Sequence, residues 1–446
     1  MIRKILLLLY LTNYLLRPAP VRAQQDQRDQ SAQLVRSLQE RVKRSPDDYA
    51  GYAALGAAYL QKGRETADAT DYELARVALE KSLDLLSNDP AAAFAMTQMA
   101  VVCMVEHRFQ DALTWTQNAL AQGSGDPSPW AIAGDALADI GDYQGAEEAY
   151  SKLKSLYGSE DTRLAISYQQ TSRKSYLRFI AGDTLAATQL MQTAVHMAVE
   201  MHMPAENIAW SEYQFGEQVF QTGDLPAAEK AYLAALDEYP GYYRALAGLA
   251  KLRAAQGRYD DSIKLYKEAI AQVPYPEFAA ALGDIYQKVG QRQQATKQYQ
   301  MVEFIGRLNH INQQIHNRDL ALFYADHGLK LDESLALARK ELEVRHDIYT
   351  WDVLAWSLYK NGKLHKASEA ITKALQRGTK DAQIFFHAGM IYEQLGDSAK
   401  SKDYLRRALE TNSHFHVVYS GLAIQTLARL NSKPLAMNSE EADHAH

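Results

Sequence analysis

Apolar residues recur at helical spacing in paired runs along the chain, and a short polar turn that contains glycine joins the two runs of most pairs. Because glycine adopts the left-handed backbone conformation without steric cost, a glycine after such a run predicts the end of a helix. The near-constant interval, about 34 residues in its shortest form, indicates repeated copies of one two-helix unit. The glycines are Gly141, Gly182, Gly223, Gly257, Gly290, Gly328, Gly362 and Gly396.

Other positions recur when the units are aligned on these glycines. A small residue precedes the turn by seven positions, as in Leu282-Gly283, and an alanine–aromatic–alanine series follows it, as in Ala228, Tyr232 and Ala235. This pattern resembles the tetratricopeptide repeat, a two-helix hairpin with the signature W-x2-L-G-x2-Y…A-x3-F…P. The resemblance implies an all-α, right-handed α-solenoid of about ten hairpins. They are predicted to begin near residues 49, 91, 127, 161, 208, 241, 275, 315, 348 and 382.

The predicted organisation changes along the chain. Repeats 1–4, residues 49–207, are irregular: the first has an insertion from Arg64 to Tyr72, and the second lacks a turn glycine. Repeats 5–10, residues 208–415, follow the pattern more closely. Because a solenoid exposes apolar surface at both ends, we expect a capping helix within residues 30–46 and another within residues 416–430. Residues 431–446 are polar and acidic and are predicted to be a disordered tail.

The first 23 residues have the pattern of a signal peptide. Arg3 and Lys4 precede an apolar stretch from Ile5 to Leu16, and Val21-Arg22-Ala23 offers a cleavage site before Gln24. The sequence therefore predicts export, to the periplasm or the extracellular space, without an integral span after cleavage. An uncleaved membrane anchor is the alternative.

Charge and cysteine content narrow the function further. The formal net charge is −6, and loss of residues 1–23 would make it −10 because four basic residues and no acidic ones are removed. Such a surface repels phosphate backbones, so we expect no nucleic-acid partner. Cys103 is the only cysteine, which excludes an intramolecular disulfide.

No catalytic or cofactor motif is recognisable. The sequence has no phosphate-binding loop, dinucleotide fingerprint, nucleophile elbow or HExxH motif, so we predict a non-enzymatic protein without a cofactor. One cluster suits Cu(I) chemistry, and metal handling is therefore an alternative function. We favour helix packing for it, and predict no metal site, because its histidines and methionines point to different sides of a helix. The cluster is Met191, His196, Met197, Met201, His202 and Met203.

The resemblance implies that the first helix of each hairpin lines a concave groove. Helical geometry places three positions of each first helix on that face: three before, one after and four after the small residue. In repeats 5, 9 and 10 these positions are aromatic and acidic, which suits an extended peptide with apolar and basic side chains, or a glycan. Alternatively, the aromatic residues pack against neighbouring helices or the last capping helix. With adjoining residues, the candidates are Trp210, Tyr213, Glu217, Phe220, Tyr349, Asp352, Trp356, Tyr359, Phe386, Met390 and Glu393.

Basic residues are rare on this face. Lys251 and Arg318 are isolated exceptions, so the clamp that cytosolic chaperone adaptors of this family use for a C-terminal carboxylate is not expected here. The sequence therefore predicts an exported scaffold that binds a protein or an extended peptide, whose identity and whose own oligomeric state it does not specify. An accessory role beside an exported enzyme is a further alternative.

Overall fold

The computed structural model of the chain describes residues 20–86, 90–123, 125–153, 160–311 and 318–432. Within these ranges the chain forms 22 helices and no strands, which confirms the predicted all-α solenoid. Helix α1 precedes ten helical hairpins, and α22 follows them. The hairpins consist of α2/α3, α4/α5 and so on to α20/α21.

The helices are short, and most connections contain only a few residues. In the N-terminal half they are α1 Pro20–Arg44, α2 Tyr49–Thr66, α3 Ala69–Leu85, α4 Ala92–Val105, α5 Phe109–Ala121, α6 Ser128–Ile140, α7 Tyr143–Lys152, α8 Glu160–Ile180, α9 Thr184–Glu200, α10 Ala205–Gln221 and α11 Leu225–Glu238. In the C-terminal half they are α12 Tyr243–Ala255, α13 Tyr259–Gln272, α14 Pro276–Lys288, α15 Arg292–Ile311, α16 Arg318–His327, α17 Leu331–Glu341, α18 Ile348–Lys360, α19 Leu364–Leu375, α20 Ala382–Gln394, α21 Ser398–Thr411 and α22 Tyr419–Ser432.

The turn within a hairpin is made by a glycine followed by a helix cap. Gly141 ends α6 with a φ of 90°, and the Asp142 side chain then accepts a hydrogen bond of 2.9 Å from the Gly145 N–H at the start of α7. Gly223 and Asp224 repeat the arrangement, with a cap hydrogen bond of 3.0 Å from Ala227. The glycine adopts the left-handed backbone conformation that ends the first helix. The aspartate side chain accepts a hydrogen bond from an amide in the first turn of the next helix, which has no partner within that helix.

The irregular repeats keep the same turn with other residues. In repeat 2, His107 takes the glycine position with a φ of 55°, a conformation that costs a non-glycine residue about 1–2 kcal/mol. In repeat 1 the predicted insertion between the helices is wrong. Helices α2 and α3 extend into it and leave only Ala67 and Asp68 between them, and Ala67 has a φ of 53°.

The small residue of each first helix makes room for a side chain of the second helix. A Cβ atom on Gly216 would lie 2.6 Å from the ring of Tyr232, which passes directly over it. Gly134 is covered in the same way by Tyr150, and Gly283 by Tyr299. Two helices of a hairpin can therefore lie in close contact while the tyrosine reaches the inside of the solenoid.

The superhelix closes on itself. The turns of repeats 3, 4 and 5 touch the loops that follow repeats 8, 9 and 10, and we call this contact the seam. The Ile348 N–H donates to the Tyr143 hydroxyl at 3.0 Å, and the buried Asn412 side chain donates to the Phe220 carbonyl at 2.8 Å. Residues about 200 positions apart are thus in direct contact, and the first helices surround a narrow interior.

The predicted chain ends lie partly beyond the described residues. The predicted signal peptide falls on residues 1–19, which are not described, and on the first residues of α1. Of the predicted tail, residues 433–446 are not described, whereas α22 continues to Ser432. In the part of the chain that the structure describes, no helix combines the length and apolar character needed to span a bilayer.

Candidate functional site

The inside of the solenoid carries a repeated carboxylate arrangement. Asp135, Glu217 and Asp284 directly follow the small residue of repeats 3, 5 and 7. Each accepts a hydrogen bond from the tyrosine fifteen residues later, with lengths of 2.8, 2.6 and 2.8 Å. The sequence shows this as glycine, acid, fourteen residues and tyrosine, a spacing that the sequence analysis missed.

The next repeat places a basic side chain against each of these carboxylates. Arg173, Lys251 and His327 lie on the following first helix and contact Asp135, Glu217 and Asp284 at 2.8, 2.6 and 2.8 Å. Glu217, a predicted groove residue, therefore already forms an ion pair within the protein. Lys251, predicted to be an isolated cation, is its partner.

Trp356 lies at the centre of an aromatic cluster in the C-terminal part of the interior. Only 1% of its surface is exposed, its indole N–H donates to Asp326 at 2.7 Å, and its ring stacks on Tyr359 and His387 at 4.7 and 4.1 Å. Phe386 is completely buried beside it. These rings are held on several sides by other side chains.

Residues 412–419, which we call the C-terminal plug, cover this cluster from the inside. The Tyr419 ring stacks on Phe386 at 4.8 Å, and its hydroxyl donates to Asp326 at 2.8 Å. Phe415 contacts Phe386 at 5.7 Å, and His416 approaches Asp284 at 3.8 Å. The plug thus reaches from the last repeat to side chains of repeats 7 and 8.

The prediction of an open groove is therefore wrong for five residues, all of which are buried. Trp356, Phe386 and Met390 belong to the core that the plug completes. Asp352 accepts a hydrogen bond of 2.9 Å from buried His387, and Phe220 packs in the core of repeat 5 below Lys251. For Trp356, Phe386 and Met390 the alternative interpretation applies, since they pack against neighbouring helices and the last capping helix.

Three further predicted residues of the C-terminal set are half-buried and already have partners. Glu393 pairs with Arg429 of α22 at 3.0 Å, and Tyr359 stacks on Trp356. Tyr349 lies below Arg318, and Arg318 pairs with Asp347 at 3.0 Å. The negative charge predicted for this groove is therefore balanced by basic side chains of the protein itself.

The middle of the interior is accessible. We call Trp210, Tyr213, Arg244, Tyr275 and Glu277 the middle section; the first four are half-buried, and Glu277 is exposed. The Arg244 guanidinium lies 5.2 Å from the Tyr243 ring and 5.7 Å from the Tyr275 ring. No carboxylate lies within ion-pair distance of Arg244 in the described part of the chain. Of the predicted residues, Tyr213 lies close enough to Arg244 for the two charges to interact, and Trp210 lies on the same helix, α10, three residues before Tyr213.

The surrounding protein changes the electrostatics of the middle section. Although water reaches Glu277, enclosure within the superhelix and the nearby charge of Asp319 raise the pKa of Glu277 to about 7. Burial likewise raises the pKa of Tyr213 well above its ordinary value. A ligand charge placed next to half-buried Arg244 would be partly removed from water, which strengthens its interaction with the guanidinium.

The methionine and histidine cluster does not converge. Met191 is buried against Tyr168 and Ile208 in a small core, whereas His196 and His202 are exposed. In the described ranges no three His, Cys, Asp or Glu side chains are arranged to hold a metal ion. Packing accounts for the methionines.

Two segments match family models of the tetratricopeptide repeat, over residues 213–275 and residues 382–415. These two segments are therefore similar to tetratricopeptide repeats, and the first of them includes Tyr213, Arg244 and Tyr275 of the middle section. A comparison with curated proteins finds no match to this sequence.

Several solved structures resemble the fold. The APC/C hetero-tetramer Cut9-Hcn1 is 13% identical over 94% of this chain and 98% of that chain, with a TM-score of 0.32. Yeast Tom70 is 11% identical over 93% and 96%, with a TM-score of 0.42. A tetratricopeptide repeat protein from Parabacteroides merdae is 19% identical over 60% and 99%, with a TM-score of 0.34. At these TM-scores the likenesses say nothing about what this chain binds.

Proposed function

We propose that this protein is an exported, non-enzymatic scaffold that binds an extended segment of a partner protein in the middle section of its interior. Tetratricopeptide repeats support a role in protein–protein interaction. The observation that carries the proposal is Arg244, a half-buried cation that lies beside the rings of buried Tyr243 and half-buried Tyr275 and has no carboxylate within ion-pair distance in the described part of the chain.

The charges of the interior indicate the chemistry of the partner. Glu217 and Glu393 are paired internally, whereas Arg244 is not. A partner segment with an acidic side chain beside an apolar or aromatic one would pair with Arg244 and pack on Trp210 and Tyr213. Aromatic anchors supply most of the binding free energy at such sites, and an enclosed charge pair adds specificity.

Affinity capture with matched variants tests the binding site. The mature chain, residues 24–446, is used as bait in extracts of the producing cells, together with Arg244→Ala, Trp210→Ala and the control Arg258→Ala. Arg258 is also an arginine, but it is about half exposed in a hairpin turn and pairs with Asp261. We expect Arg244→Ala and Trp210→Ala to lose a partner that the parent and Arg258→Ala retain. Equal capture by all four proteins would refute the site.

Export is tested separately. Fusing residues 1–30 to a reporter enzyme that is active only outside the cytoplasm should give activity, and replacing Leu7 and Leu8 by arginine should abolish it. N-terminal sequencing of the mature protein should begin at Gln24. An inactive fusion would refute export without affecting the binding site.

A further inference from the structure

We propose that a cleft on the outside of the solenoid is a second docking site, which takes an acidic segment of a partner protein that carries one large apolar side chain. The cleft, which we call the outer cleft, lies between α17 and α19, with α18 as its floor, and has a volume of about 320 Å³. Because it is formed on the side of the hairpins that faces away from the interior, this site is separate from the one around Arg244 and goes beyond the proposed function.

The floor of the outer cleft is apolar, but it includes a hydrogen-bond donor. Trp351, Leu354 and Leu358 follow one another at three- and four-residue spacing, so they lie on one face of α18. Leu354 and Leu358 are buried, whereas Trp351 is half-buried. In the described ranges the Trp351 indole N–H donates to no protein group, whereas that of Trp356 donates to Asp326. A partner can therefore pack an apolar side chain on the Trp351 ring and accept a hydrogen bond from its indole.

The rim of the outer cleft is basic. Arg339 of α17 lies on one side, and Lys366 and Lys373 of α19 lie on the other; all three are exposed. Within the part of the chain that the structure describes, none of them has a carboxylate at ion-pair distance, although Glu369 also lines the cleft. From residue 360 to residue 380 the sequence has six lysine and arginine residues and one acidic residue, in a chain whose formal net charge is −6. A positive patch on a negative protein attracts an acidic partner.

The next repeat shows how the protein can close the same position with its own side chains. Phe385 and Arg407 of repeat 10 correspond to Trp351 and Lys373 of repeat 9. The Arg407 guanidinium lies 4.1 Å from the centre of the Phe385 ring, and only 1% of Phe385 is exposed. In repeat 9 the shorter-headed Lys373 is exposed and the Trp351 ring stays accessible. The aromatic ring and the cation of the outer cleft are therefore both available to a partner.

The shape of the outer cleft favours a protein segment over a membrane. Its apolar side chains lie at the bottom, between two helices, so the flat surface of a bilayer does not reach them, whereas a single side chain of a protein does. Lys366 and Lys373 are two helical turns apart, roughly 10 Å along α19, and Arg339 lies across the cleft. Carboxylates on both sides of an apolar anchor would pair with these cations while the anchor fills the cleft. A phosphate ion would leave the apolar floor unused.

A library of random peptides of twelve residues, displayed on phage, tests this preference. The bait is the mature chain with Arg244→Ala, so that the middle section does not select acidic peptides of its own. A second bait also carries Lys366→Glu and Lys373→Glu, which reverse the charge of the rim. The control bait instead carries Lys264→Glu and Lys297→Glu, two exposed lysines of α13 and α15. We expect the first and control baits to enrich peptides with Asp or Glu on both sides of a large apolar residue, and the charge-reversed bait to lose this preference.

The most enriched peptide is then synthesised with a fluorescent label, and its affinity is measured by fluorescence anisotropy. We expect the charge-reversed protein to bind it at least roughly tenfold more weakly than the first bait, and the control protein to bind it equally well. Trp351→Ala should also weaken binding at least roughly tenfold, because it removes the aromatic floor. Circular dichroism checks that each variant keeps its helix content, and the lysine variants test the site without changing a core residue.

Several results would overturn the proposal. One is selection without an acidic preference, and another is equal affinity of the charge-reversed and control proteins. Binding of the peptide only after removal of residues 433–446, which include Glu440, Glu441 and Asp443, would make the chain's own tail the occupant. Binding to phosphatidylglycerol vesicles that requires Lys366 and Lys373 would make the surface a membrane contact. Failure here is distinguishable from failure of the proposed function, because the capture experiment with Arg244→Ala and Trp210→Ala leaves the outer cleft unchanged.

Discussion

The backbone of Gly182 lies directly against the carbonyl oxygen of Gly378, so closely that a Cβ atom on Gly182 would overlap that oxygen. Gly141 meets the His346 carbonyl in the same way, with 2.6 Å between the oxygen and a Cβ atom on the glycine. By contrast, Gly257, Gly290 and other turn glycines have no atom in the place of a Cβ. Glycine thus has two roles: it ends a helix in every regular repeat, and in repeats 3 and 4 it also allows the seam to close.

The two roles can be separated by one substitution at two positions. Gly182→Ala and Gly257→Ala both place alanine at a positive φ, 80° and 74°, which costs about 1–2 kcal/mol in each case. Only Gly182→Ala also overpacks the seam, so it should cost about 1–3 kcal/mol more. Urea unfolding of both variants measures the difference. Equal losses of unfolding free energy would mean that the seam contributes nothing.

The tyrosine–carboxylate pairs should stabilise the solenoid. In Tyr232→Phe the hydrogen bond to Glu217 is lost, and we expect the free energy of unfolding to fall by about 1.5–3 kcal/mol because the acceptor is charged. Tyr266→Phe is the matched control, since the residue fifteen positions earlier is Lys251 instead of an acid. Urea unfolding should show a clearly smaller loss for the control. Similar losses would contradict a special role of these pairs.

Asp139 should make stability depend on pH. It lies in the seam 3.3 Å from Arg345, and burial, only partly offset by that arginine, raises the pKa of Asp139 from 3.8 to about 6. The folded chain therefore holds this proton more tightly than the unfolded chain, and its stabilising contribution is lost as the pH rises from 4 to 6. Between those values, Asp139→Asn should gain stability relative to the parent. A difference between the two proteins that stays constant from pH 4 to pH 7 would contradict this.

Cys103 should be chemically inert in the folded chain. It is completely buried, and burial raises the pKa of its thiol to about 11, so little reactive thiolate forms at neutral pH. We expect a chromogenic disulfide reagent to react with it slowly in buffer and fully in denaturant. Rapid reaction of one thiol per chain without denaturant would show that α4 opens readily.

Local patterns predicted the hairpins because each of their determinants is local. Glycine at a positive φ, an aspartate cap such as Asp142, and a small residue under a tyrosine such as Gly216 under Tyr232 all act within one repeat. The predicted beginnings of the hairpins lie within three residues of the observed first helices. Even repeat 2, without the glycine, keeps its turn because His107 accepts the same conformation.

The side-chain contacts inside the solenoid could not be predicted from local sequence patterns. Whether Gly182 contacts Gly378 depends on the small rotation of each repeat relative to the one before it. These rotations add up over several repeats, and no local sequence pattern specifies their sum. The burial of Trp356 depends on Tyr419, the first residue of the capping helix α22, and helical periodicity does not specify the path of the loop that places this helix. The carboxylate pairs were detectable, because Asp135 and Tyr150 recur at the same spacing as Glu217 and Tyr232. Recognising this spacing would have shown that Glu217 already has a partner, whereas the partners of Asp352 and Glu393 follow no such spacing.

Closure of the superhelix is the central structural claim, since it creates the enclosed interior in which Arg244 and the plug lie. Leu185 is 69% exposed and lies three residues after Gly182, and the exposed Lys380 side chain contacts the same turn. Nitroxide labels on Leu185→Cys and Lys380→Cys, in a Cys103→Ala background, report the seam by pulsed electron spin resonance. A closed solenoid predicts one narrow distribution at the short distance expected for labels on adjacent turns. A broad distribution at long distances would contradict closure and the enclosed interior that depends on it.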